Sequence, residues 1–260
     1  CPERVLPGHV VRELVENDRV IGGMTAKCSA RAVELYKTFV QGECVITNAR
    51  TAEMAKLTEN SCRDVQIAFA NELSIICDKL DIDVWELISL ANRHPRINIL
   101  QPGPGVGGHC IAVDPWFIVS KTPSEAQLIH TARKVNDAKP QWVINKVKLA
   151  IADFLQANPA KTAKDVTVAC YGLAFKPDID DLRESPALNI TKQIADLHSG
   201  TVIAVEPNIN KLPSSISTFN LSTFDSAKEN ADVHLLLVDH KEFKNTILNV
   251  KYLIDTKGIW

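Results

Sequence analysis

The sequence predicts a mixed α/β protein in which a C-terminal parallel sheet follows a helical central region. From Asp165 onward, short apolar runs alternate with helical patterns, as in a doubly wound parallel sheet. Residues 49–80 contain neither proline nor glycine and repeat apolar side chains at helical spacing, which predicts one long helix. Because such a helix is longer than the surface of a small domain, we expect it to join two domains or to pack two subunits against each other.

The C-terminal part is predicted to begin with a buried strand and to alternate thereafter. Pro186 directly follows Ser185 and fits the first turn of a helix, where the missing N–H of proline is not needed. The predicted strands are 166–171, 201–205, 233–238 and 252–254, and the predicted helices are 185–198 and 225–230.

The region before this sheet is predicted to be a short stub followed by helices. Ser29 is the expected N-cap of a helix in the stub, and Pro140 is expected to break a later helix because proline lacks the N–H that a helix interior uses. The predicted helices are 29–40, 83–91 and 126–157, and the predicted strands are 19–23 and 43–46. The predicted domains are residues 1–48, 49–148 and 149–260.

Composition excludes several classes of partner. The 29 basic and 31 acidic residues give a formal net charge of -2 without a basic block, which argues against nucleic acid or an anionic membrane. The apolar runs are too short to span a bilayer. Seven cysteines without a C-x-x-C pair are typical of a reducing, cytoplasmic compartment and predict no metal site. The chain opens at Cys1 without an initiator Met, so we expect it to be a fragment.

The segment Gly103–Gly108 matches the pattern G-x-G-x-x-G, but its surroundings do not suit a dinucleotide fingerprint. That fingerprint needs a buried strand before it and an unbroken helix after it. Here Pro102 precedes the segment, Pro104 lies within it, and Pro115 interrupts the residues that follow. We therefore expect a loop whose glycines bring the backbone close to a ligand or a nucleophile.

Cys110 lies two residues after this loop and is the candidate nucleophile. Glycines beside a cysteine let a substrate carbon approach the sulfur and leave N–H groups free to face a developing oxyanion. Asp114 is four residues later, so on a helical turn it would share the face of Cys110 and act on a water or a hydroxyl. A purely structural Cys-x-x-x-Asp pair is the alternative.

Lys56 and Asn60 form the second candidate cluster. They are four residues apart on the predicted long helix, so the ammonium and the amide can converge on one oxygen. A solvated helical surface is the alternative.

Three motifs together resemble one family. Residues 53–60, 105–114 and 172–185 occur in the order and spacing of the UDP-glucose/GDP-mannose dehydrogenase family, and the resemblance covers essentially the whole chain. It implies an NAD-dependent oxidation of a sugar C6 alcohol to a carboxylate in two hydride transfers. The sequences of residues 91–96 and 110–117 resemble the members of the family that act on UDP-N-acetyl-D-mannosamine, which favours this substrate. UDP-glucose, UDP-N-acetylglucosamine and GDP-mannose are the alternatives.

The resemblance also implies catalytic roles. Cys110 would attack the intermediate aldehyde, and the thiohemiacetal would lose the second hydride to give a thioester. Lys56 and Asn60 would hold the oxygen that becomes negative. Asp114 would order water or share a proton, and Glu3 would help to hydrolyse the thioester. Without the resemblance, Glu3 is an exposed terminal residue.

Further positions match residues that hold the UDP-sugar in the family. Phe175 and Lys176 would contact the nucleotide and its diphosphate, although a strand end with a capping lysine is the alternative. Gly105 and Gly107 would let the loop approach the substrate. Arg96 would reach the site of a neighbouring subunit, which would make a homodimer functional.

The resemblance to the family bears on five further positions. Lys257 stands where many relatives carry an arginine, so a bidentate contact is not expected. Arg183 is expected to face the cofactor. Arg4 and His109 are candidates for recognising an acetamido group. Pro7 stands where some relatives carry a second carboxylate.

The resemblance finally implies an architecture. Residues 1–48 would be the remnant of an NAD-binding domain that lacks about 150 residues, residues 49–148 a dimerisation domain built on the long helix, and residues 149–260 a Rossmann-like UDP-sugar domain. We expect such a fragment to bind UDP and to be inactive by itself. A non-catalytic UDP-sugar-binding or dimerisation module is the alternative.

Overall fold

The computed structural model describes residues 1–5, 9–244, 246 and 248–260, so Pro7 lies outside the described residues. The chain forms two compact units. The first comprises Cys1–Arg63 and Val113–Ala126, and the second comprises Asp64–Ala112 and Gln127–Trp260.

The first unit contains a small parallel β-α-β arrangement. Strand β1 (Arg19–Gly23) pairs in parallel with β2 (Cys44–Asn48), and α2 (Ala26–Tyr36) connects them. Parallel strands need a crossover connection, so a helix between them follows from the pairing. Helix α1 (Val10–Glu16) precedes β1, and α5 (Asp114–Lys121) also belongs to this unit.

The predicted N-cap of α2 was wrong. The helix begins earlier, and the side chain of Thr25 caps it by accepting the N–H of Cys28 at 3.2 Å. Ser29 is buried instead, and its hydroxyl accepts the N–H of Gly23 at 3.0 Å. A Cβ on Gly23 would lie 2.5 Å from that hydroxyl oxygen, so the helix and the end of β1 approach closely at this point.

The long central helix forms as predicted, and α3 runs from Ala49 to Leu80 without interruption. The part up to Arg63 belongs to the first unit and the part from Asp64 to the second. Helix α4 (Val84–Ala91) follows, and the side chain of Asp83 caps it by accepting the N–H of Trp85 at 2.8 Å.

The predicted break at Pro140 was wrong, because α6 continues from Gln127 to Ala157 through this proline. The missing N–H removes one backbone hydrogen bond. Buried contacts on both sides offset that loss, since Asn136 and Lys139 before the proline and Val143 after it are at most 2 % exposed. Tertiary packing therefore outweighs the local preference.

The second unit carries a five-stranded sheet in which all neighbouring strands are parallel. The spatial order is β5-β4-β3-β6-β7, so the chain leaves β3 towards one edge and β6 towards the other. In such sheets ligands bind at the carboxyl ends of the two strands where the direction changes.

This sheet confirms the predicted α/β class. Its strands are β3 (Thr167–Tyr171), β4 (Thr201–Val205), β5 (Asn220–Leu221), β6 (Val233–Leu236) and β7 (Leu253–Asp255), and its helices are α7 (Pro186–Leu197), α8 (Phe224–Asn230) and α9 (Lys241–Lys244).

Strand β3 shows how the sheet buries both faces. Val168 and Cys170 point into a cluster formed with α6 and α7, whereas Ala169 and Tyr171 point into a second cluster around Phe243. Alternate residues of a strand point to opposite faces, so a strand with apolar residues throughout must be covered on both sides.

A buried polar network joins α3 to α6 within the second unit. The guanidinium of Arg133 donates to a carboxylate oxygen of Asp64 at 2.5 Å, and the amide of Asn136 donates to the same oxygen at 2.8 Å. The amide of Asn71 donates to Asn136 at 2.9 Å, and its oxygen accepts the N–H of Gly103 at 2.9 Å. The network therefore anchors the first residue of the glycine-rich loop to the helix pair.

Among the described residues, no helix is both long and apolar enough to cross a membrane.

Candidate active site

The glycine-rich loop of the second unit packs against the start of α7. The N–H of Gly108 donates to the carbonyl oxygen of Glu184 at 3.3 Å. A Cβ on Gly107 would lie 2.6 Å from that oxygen and 2.6 Å from Cδ of Pro186, and one on Gly105 would lie 3.1 Å from the ring of Pro140. The loop therefore brings its backbone close to neighbouring groups, as its glycines predict.

Cys110 is exposed at the end of this loop. The expectation that Cys110 and Asp114 share a helical turn was wrong, because α5 begins at Asp114. Pro115 accounts for the difference, since proline is favoured in the first turn of a helix and disfavoured in its interior. Residues 97–102 form neither strand nor helix, so the loop lacks the strand that a dinucleotide fingerprint requires.

Phe175 and Lys176 lie in the connection after β3, at the carboxyl end of the central strand. A Cβ on Gly108 would lie 3.7 Å from the ring of Phe175, so this ring borders the loop that carries Cys110. The ammonium nitrogen of Lys176 lies 5.4 Å from the centre of the same ring. The second unit thus places an aromatic ring, with a cation beside it, against the glycine-rich loop that precedes Cys110.

Lys257 approaches the same loop from the end of β7. Its ammonium nitrogen lies 3.1 Å from a carboxylate oxygen of Asp239 and 3.9 Å from where a Cβ of Gly103 would be. Burial raises the pKa of Asp239, but Lys257 outweighs burial and holds the pKa below its usual value. A second ammonium, that of Lys244, lies 3.3 Å from the other oxygen of this carboxylate.

Arg183 is held by its own loop. Its Nε and Nη2 both donate to the carboxylate of Asp181, at distances between 2.7 and 3.2 Å, and 74 % of its side chain is exposed. The hydrogen bonds from Arg183 lower the pKa of Asp181 to about 2. The guanidinium therefore has a fixed orientation while most of its surface faces solvent.

Glu206 and His240 are buried at the carboxyl ends of β4 and β6. A carboxylate oxygen of Glu206 accepts the N–H groups of Leu173 and Ala174 at 2.7 and 3.0 Å, and it lies 3.0 Å from Nε2 of His240. Sequence reasoning missed both residues. The available signal was an acidic residue directly after a buried strand, at the sheet edge where ligands bind.

Glu206 makes the stability of the second unit depend on pH. Burial raises the pKa of this carboxyl, but the hydrogen bonds from His240 and Leu173 outweigh burial and lower it from 4.5 to about 2. The carboxylate therefore contributes stability above pH 4.5 that is lost as the pH falls towards 2, a contribution of about 3 kcal/mol. Urea unfolding at a series of pH values measures this loss. A Glu206→Gln variant should lose less stability over the same range, and equal losses would contradict the assignment.

In the first unit, Glu3 is fixed by a buried arginine. Its carboxylate accepts Nη1 of Arg19 at 2.5 Å and the N–H of Arg4 at 2.8 Å. Burial raises the pKa of Glu3, but the hydrogen bond from Arg19, assisted by the charge of Lys56, lowers it below the usual value. Arg19, which sequence reasoning also missed, is only 2 % exposed and thereby holds Glu3 as an anion.

Asn60 and Asp114 meet directly within the first unit. The amide nitrogen of Asn60 donates to a carboxylate oxygen of Asp114 at 2.5 Å, and both residues are half-buried. Lys56 lies one turn earlier on α3 and is also half-buried. The first unit therefore brings Lys56, Asn60 and Asp114 together at the beginning of the long helix.

Two arginines with predicted substrate contacts differ in their surroundings. The guanidinium of Arg4 donates to Glu59 at 2.7 Å and to the carbonyl oxygen of Asp18 at 2.8 Å, so it ties the N-terminal segment to α3. Arg96 is exposed in the turn after α4, and His109 is exposed beside Cys110.

Comparison with known protein families matches three regions. Residues 1–40 match the NAD binding domain of the UDP-glucose/GDP-mannose dehydrogenase family, residues 50–138 its central domain, and residues 169–260 its UDP binding domain. The three regions together cover most of the chain.

Individual relatives support the same assignment. The whole chain is 64 % identical to UDP-N-acetyl-D-mannosamine dehydrogenase of Yersinia pestis and spans 63 % of its length. It is 58 % identical to NDP-N-acetyl-D-galactosaminuronic acid dehydrogenase of Ralstonia nicotianae and spans 60 % of that protein. Among solved structures, UDP-D-ManNAc dehydrogenase from Pyrococcus horikoshii matches with a TM-score of 0.85 at 36 % identity, over 100 % of this chain and 60 % of that one. The chain thus spans about three fifths of the relatives that it matches.

Proposed function

This chain belongs to the UDP-glucose/GDP-mannose dehydrogenase family, and we propose that it is part of an NAD-dependent enzyme that oxidises the C6 alcohol of UDP-N-acetyl-D-mannosamine. The product is the corresponding uronic acid, used for bacterial surface polysaccharide. The observation that carries the proposal is the packing of the loop before Cys110 against Phe175. The loop that leads to the exposed Cys110 and a candidate nucleotide-binding loop are therefore neighbours within one compact unit.

Cys110 supplies the nucleophile in this proposal. After the first oxidation, its sulfur bonds to the aldehyde carbon and the carbonyl electron pair moves to oxygen. Loss of a hydride from that carbon restores the carbonyl and leaves a thioester. Water then adds to the thioester, the carbon–sulfur bond breaks, and the thiolate returns with the carboxylate product.

We assign Lys56 and Asn60 to bind the oxygen that becomes negatively charged when Cys110 attacks the aldehyde. An ammonium and an amide N–H both stabilise an alkoxide, and a fixed donor does so without reorganising during the reaction. The hydrogen bond from Asn60 to Asp114 orients this amide. Asp114 itself is assigned to order a water molecule or to share a proton, and Glu3, held ionised by Arg19, is assigned to assist hydrolysis.

The residues present fit part of an NAD site. Arg183 offers an oriented guanidinium that is 74 % exposed, which suits the anionic diphosphate of a dinucleotide. When bound, NAD+ accepts the hydrides. We propose that Arg183 binds the diphosphate of NAD, whereas Phe175, Lys176 and Lys257 bind the UDP-sugar.

Labelling of cysteines tests the proposal directly. Cys110 and Cys28 are both exposed, and hydrogen bonds from Thr25 lower the pKa of the Cys28 thiol, so both are expected to react with iodoacetamide. UDP-N-acetylmannosamine should slow the labelling of Cys110 and leave that of Cys28 unchanged, as measured by peptide mass spectrometry. Equal labelling rates of Cys110 with and without the nucleotide sugar would contradict the proposal.

A second nucleotide sugar is favoured by one observation. The relative from Ralstonia nicotianae, named for an N-acetylgalactosaminuronic acid, is nearly as similar as the relative named for the mannosamine. UDP-N-acetylgalactosamine is therefore the candidate alternative substrate. Competition between the two nucleotide sugars in the labelling experiment ranks their affinities.

We propose that residues 49–148 form a dimerisation domain between residues 1–48, a part of the NAD-binding domain, and residues 149–260, the UDP-sugar domain. Phe69, Ile76 and Leu80 lie on one face of α3 and are 53, 44 and 60 % exposed. An apolar face of this kind marks an interaction surface, and the proposed occupant is a second copy of the chain. Arg96 is then assigned to the site of the partner.

The dimer proposal predicts the effect of a charge on this face. Phe69→Glu should convert the dimer into a monomer in light scattering, because a carboxylate cannot be desolvated in an apolar interface without a partner. Leu35→Glu, at a position that is 64 % exposed on α2, is the matched control and should remain dimeric. A dimeric Phe69→Glu protein would contradict the proposal.

A further inference from the structure

A carboxylate–imidazole pair lies beneath the loop that carries Phe175 and Lys176. We name residues 172–178 the β3 loop. Glu206 directly follows β4 and His240 lies four residues after the end of β6, and both side chains are fully buried. Nε2 of His240 lies 3.0 Å from a carboxylate oxygen of Glu206.

The carboxylate of Glu206 holds the beginning of the β3 loop. One oxygen accepts the N–H groups of Leu173 and Ala174 at 2.7 and 3.0 Å. The other accepts the backbone N–H of Asn208 at 3.1 Å and its side-chain amide at 3.2 Å. An ionised carboxylate has about four acceptor sites, so these donors and His240 saturate it.

The imidazole of His240 holds the end of the same loop. Its Nδ1 accepts the N–H of Asp178 at 2.9 Å, which assigns the proton of a neutral ring to Nε2, facing Glu206. Glu206 and His240 together therefore hold Leu173, Ala174 and Asp178, two at the start of the loop and one at its end.

The loop needs such support because both of its ends adopt unusual backbone conformations. Gly172 has a φ of 90° and Asp178 a φ of 61°. A Cβ on Gly172 would lie 2.4 Å from Cβ of Val238, so β3 ends directly against the segment after β6. A non-glycine residue such as Asp178 persists in this conformation only when surrounding contacts fix it.

His240 also belongs to a group of possible metal ligands, but both of its ring nitrogens are already engaged. Asp178, His240 and Glu242 bring ligand atoms within 4.8 Å of one another, a spacing that a metal ion could use. However, Nδ1 of His240 already accepts the N–H of Asp178, and Nε2 lies at hydrogen-bond distance from Glu206. A metal would have to displace one of these bonds.

We propose that Glu206 and His240 are positioning residues that fix the β3 loop so that Lys176 and Phe175 meet the diphosphate and the nucleoside of the substrate. This inference rests on the proposed function, which places the UDP-sugar at that loop. Phe175 and Lys176 lie between the two anchored ends, and neither Glu206 nor His240 has surface exposed to a ligand. Their effect on substrate must therefore pass through the loop backbone.

The proposal predicts a separation between binding and chemistry. Contacts with the UDP portion are made equally in the ground state and the transition state, so their loss raises KM and leaves kcat nearly unchanged. Loss of a buried acceptor leaves loop N–H groups unpaired, and we expect UDP affinity to fall by roughly tenfold or more.

Four variants test this on the full chain by calorimetric titration with UDP. Glu206→Gln replaces one carboxylate oxygen of the acceptor of Leu173 and Ala174 with an amide donor and should weaken UDP binding. His240→Leu removes the hydrogen bonds of the ring to Asp178, Asn208 and Glu206 and should weaken UDP binding. His240→Asn, whose amide oxygen can accept the N–H of Asp178, should recover part of the affinity. His234→Leu is the matched control, because His234 is also buried in β6 but contacts Tyr171 and Ala231 rather than the β3 loop. It should lower the melting temperature and leave the affinity for UDP unchanged.

The outcomes are distinguishable. If His240→Leu and Glu206→Gln bind UDP as tightly as the wild type, or if His234→Leu loses as much affinity as His240→Leu, the positioning role is wrong while the proposed function stands. If the wild type does not bind UDP, the proposed function fails and this inference fails with it. Faster hydrogen exchange of Leu173, Ala174 and Asp178 in His240→Leu provides a readout that does not depend on ligand.

Discussion

Replacing Cys110 with serine in the full-length enzyme is expected to reduce oxidation to the carboxylate by about a thousandfold or more, equivalent to about 4 kcal/mol. The serine hydroxyl is a far weaker nucleophile than a thiolate at neutral pH, so it forms neither the hemiacetal adduct nor the acyl intermediate efficiently. NADH formation from UDP-N-acetylmannosamine measures the loss. The exposed position of Cys110 makes serine a conservative replacement, so folding should be unaffected.

Cys28→Ser is the control for this experiment. Cys28 is also exposed, and hydrogen bonds from Thr25 lower the pKa of its thiol, so general thiol reactivity cannot distinguish it from Cys110. The variant should retain wild-type activity. A Cys110→Ser enzyme that still makes the uronic acid at the wild-type rate would show that Cys110 is not the nucleophile.

The second large effect is expected on stability. Arg133→Met should lower the free energy of unfolding by about 3 kcal/mol or more, because it leaves the carboxylate of Asp64 buried without its cation. Arg133 is 1 % exposed and Asp64 fully buried, so neither can turn to solvent. Urea unfolding followed by circular dichroism measures the change.

An exposed ion pair supplies the comparison. Arg12 and Glu16 lie 3.8 Å apart with about 60 % of each side chain exposed, and such pairs contribute less than about 1 kcal/mol. Arg12→Met should therefore scarcely change stability. Similar losses for Arg12→Met and Arg133→Met would mean that the buried network does not support the second unit.

The fold was predictable wherever one local signal was undisturbed. Helix α3 was predicted over 49–80 because no proline, glycine or cap interrupts its apolar spacing. Strand β4 was predicted at its observed bounds because its apolar run is short and bordered by turn residues. The helix break predicted at Pro140 does not occur because buried neighbours on α6 outweigh the preference of proline for helix ends. Ser29 is not the predicted N-cap because its hydroxyl accepts the N–H of Gly23 instead.

The family, the α/β class and the NAD cofactor are confirmed by the comparisons, whereas the individual site residues stay predictions. Cys110 could be proposed from its neighbours because Gly107 and Gly108 lie within three residues of it in sequence. Glu206 and His240 could not, since 34 residues separate them and only the order of the parallel strands brings them together. Arg19 escaped notice for the same reason, because its role depends on Glu3, which is 16 residues away.

The number of NADH formed for each sugar oxidised distinguishes a four-electron from a two-electron reaction. The full-length enzyme is incubated with NAD+ and, separately, with UDP-N-acetylmannosamine, UDP-N-acetylgalactosamine and UDP-glucose, and NADH and product are quantified together. We expect two NADH for each uronic acid formed and the highest kcat/KM with UDP-N-acetylmannosamine. One NADH for each sugar with an aldehyde product, or no NADH from any of these nucleotide sugars, would contradict the assignment of this chain to a four-electron dehydrogenase.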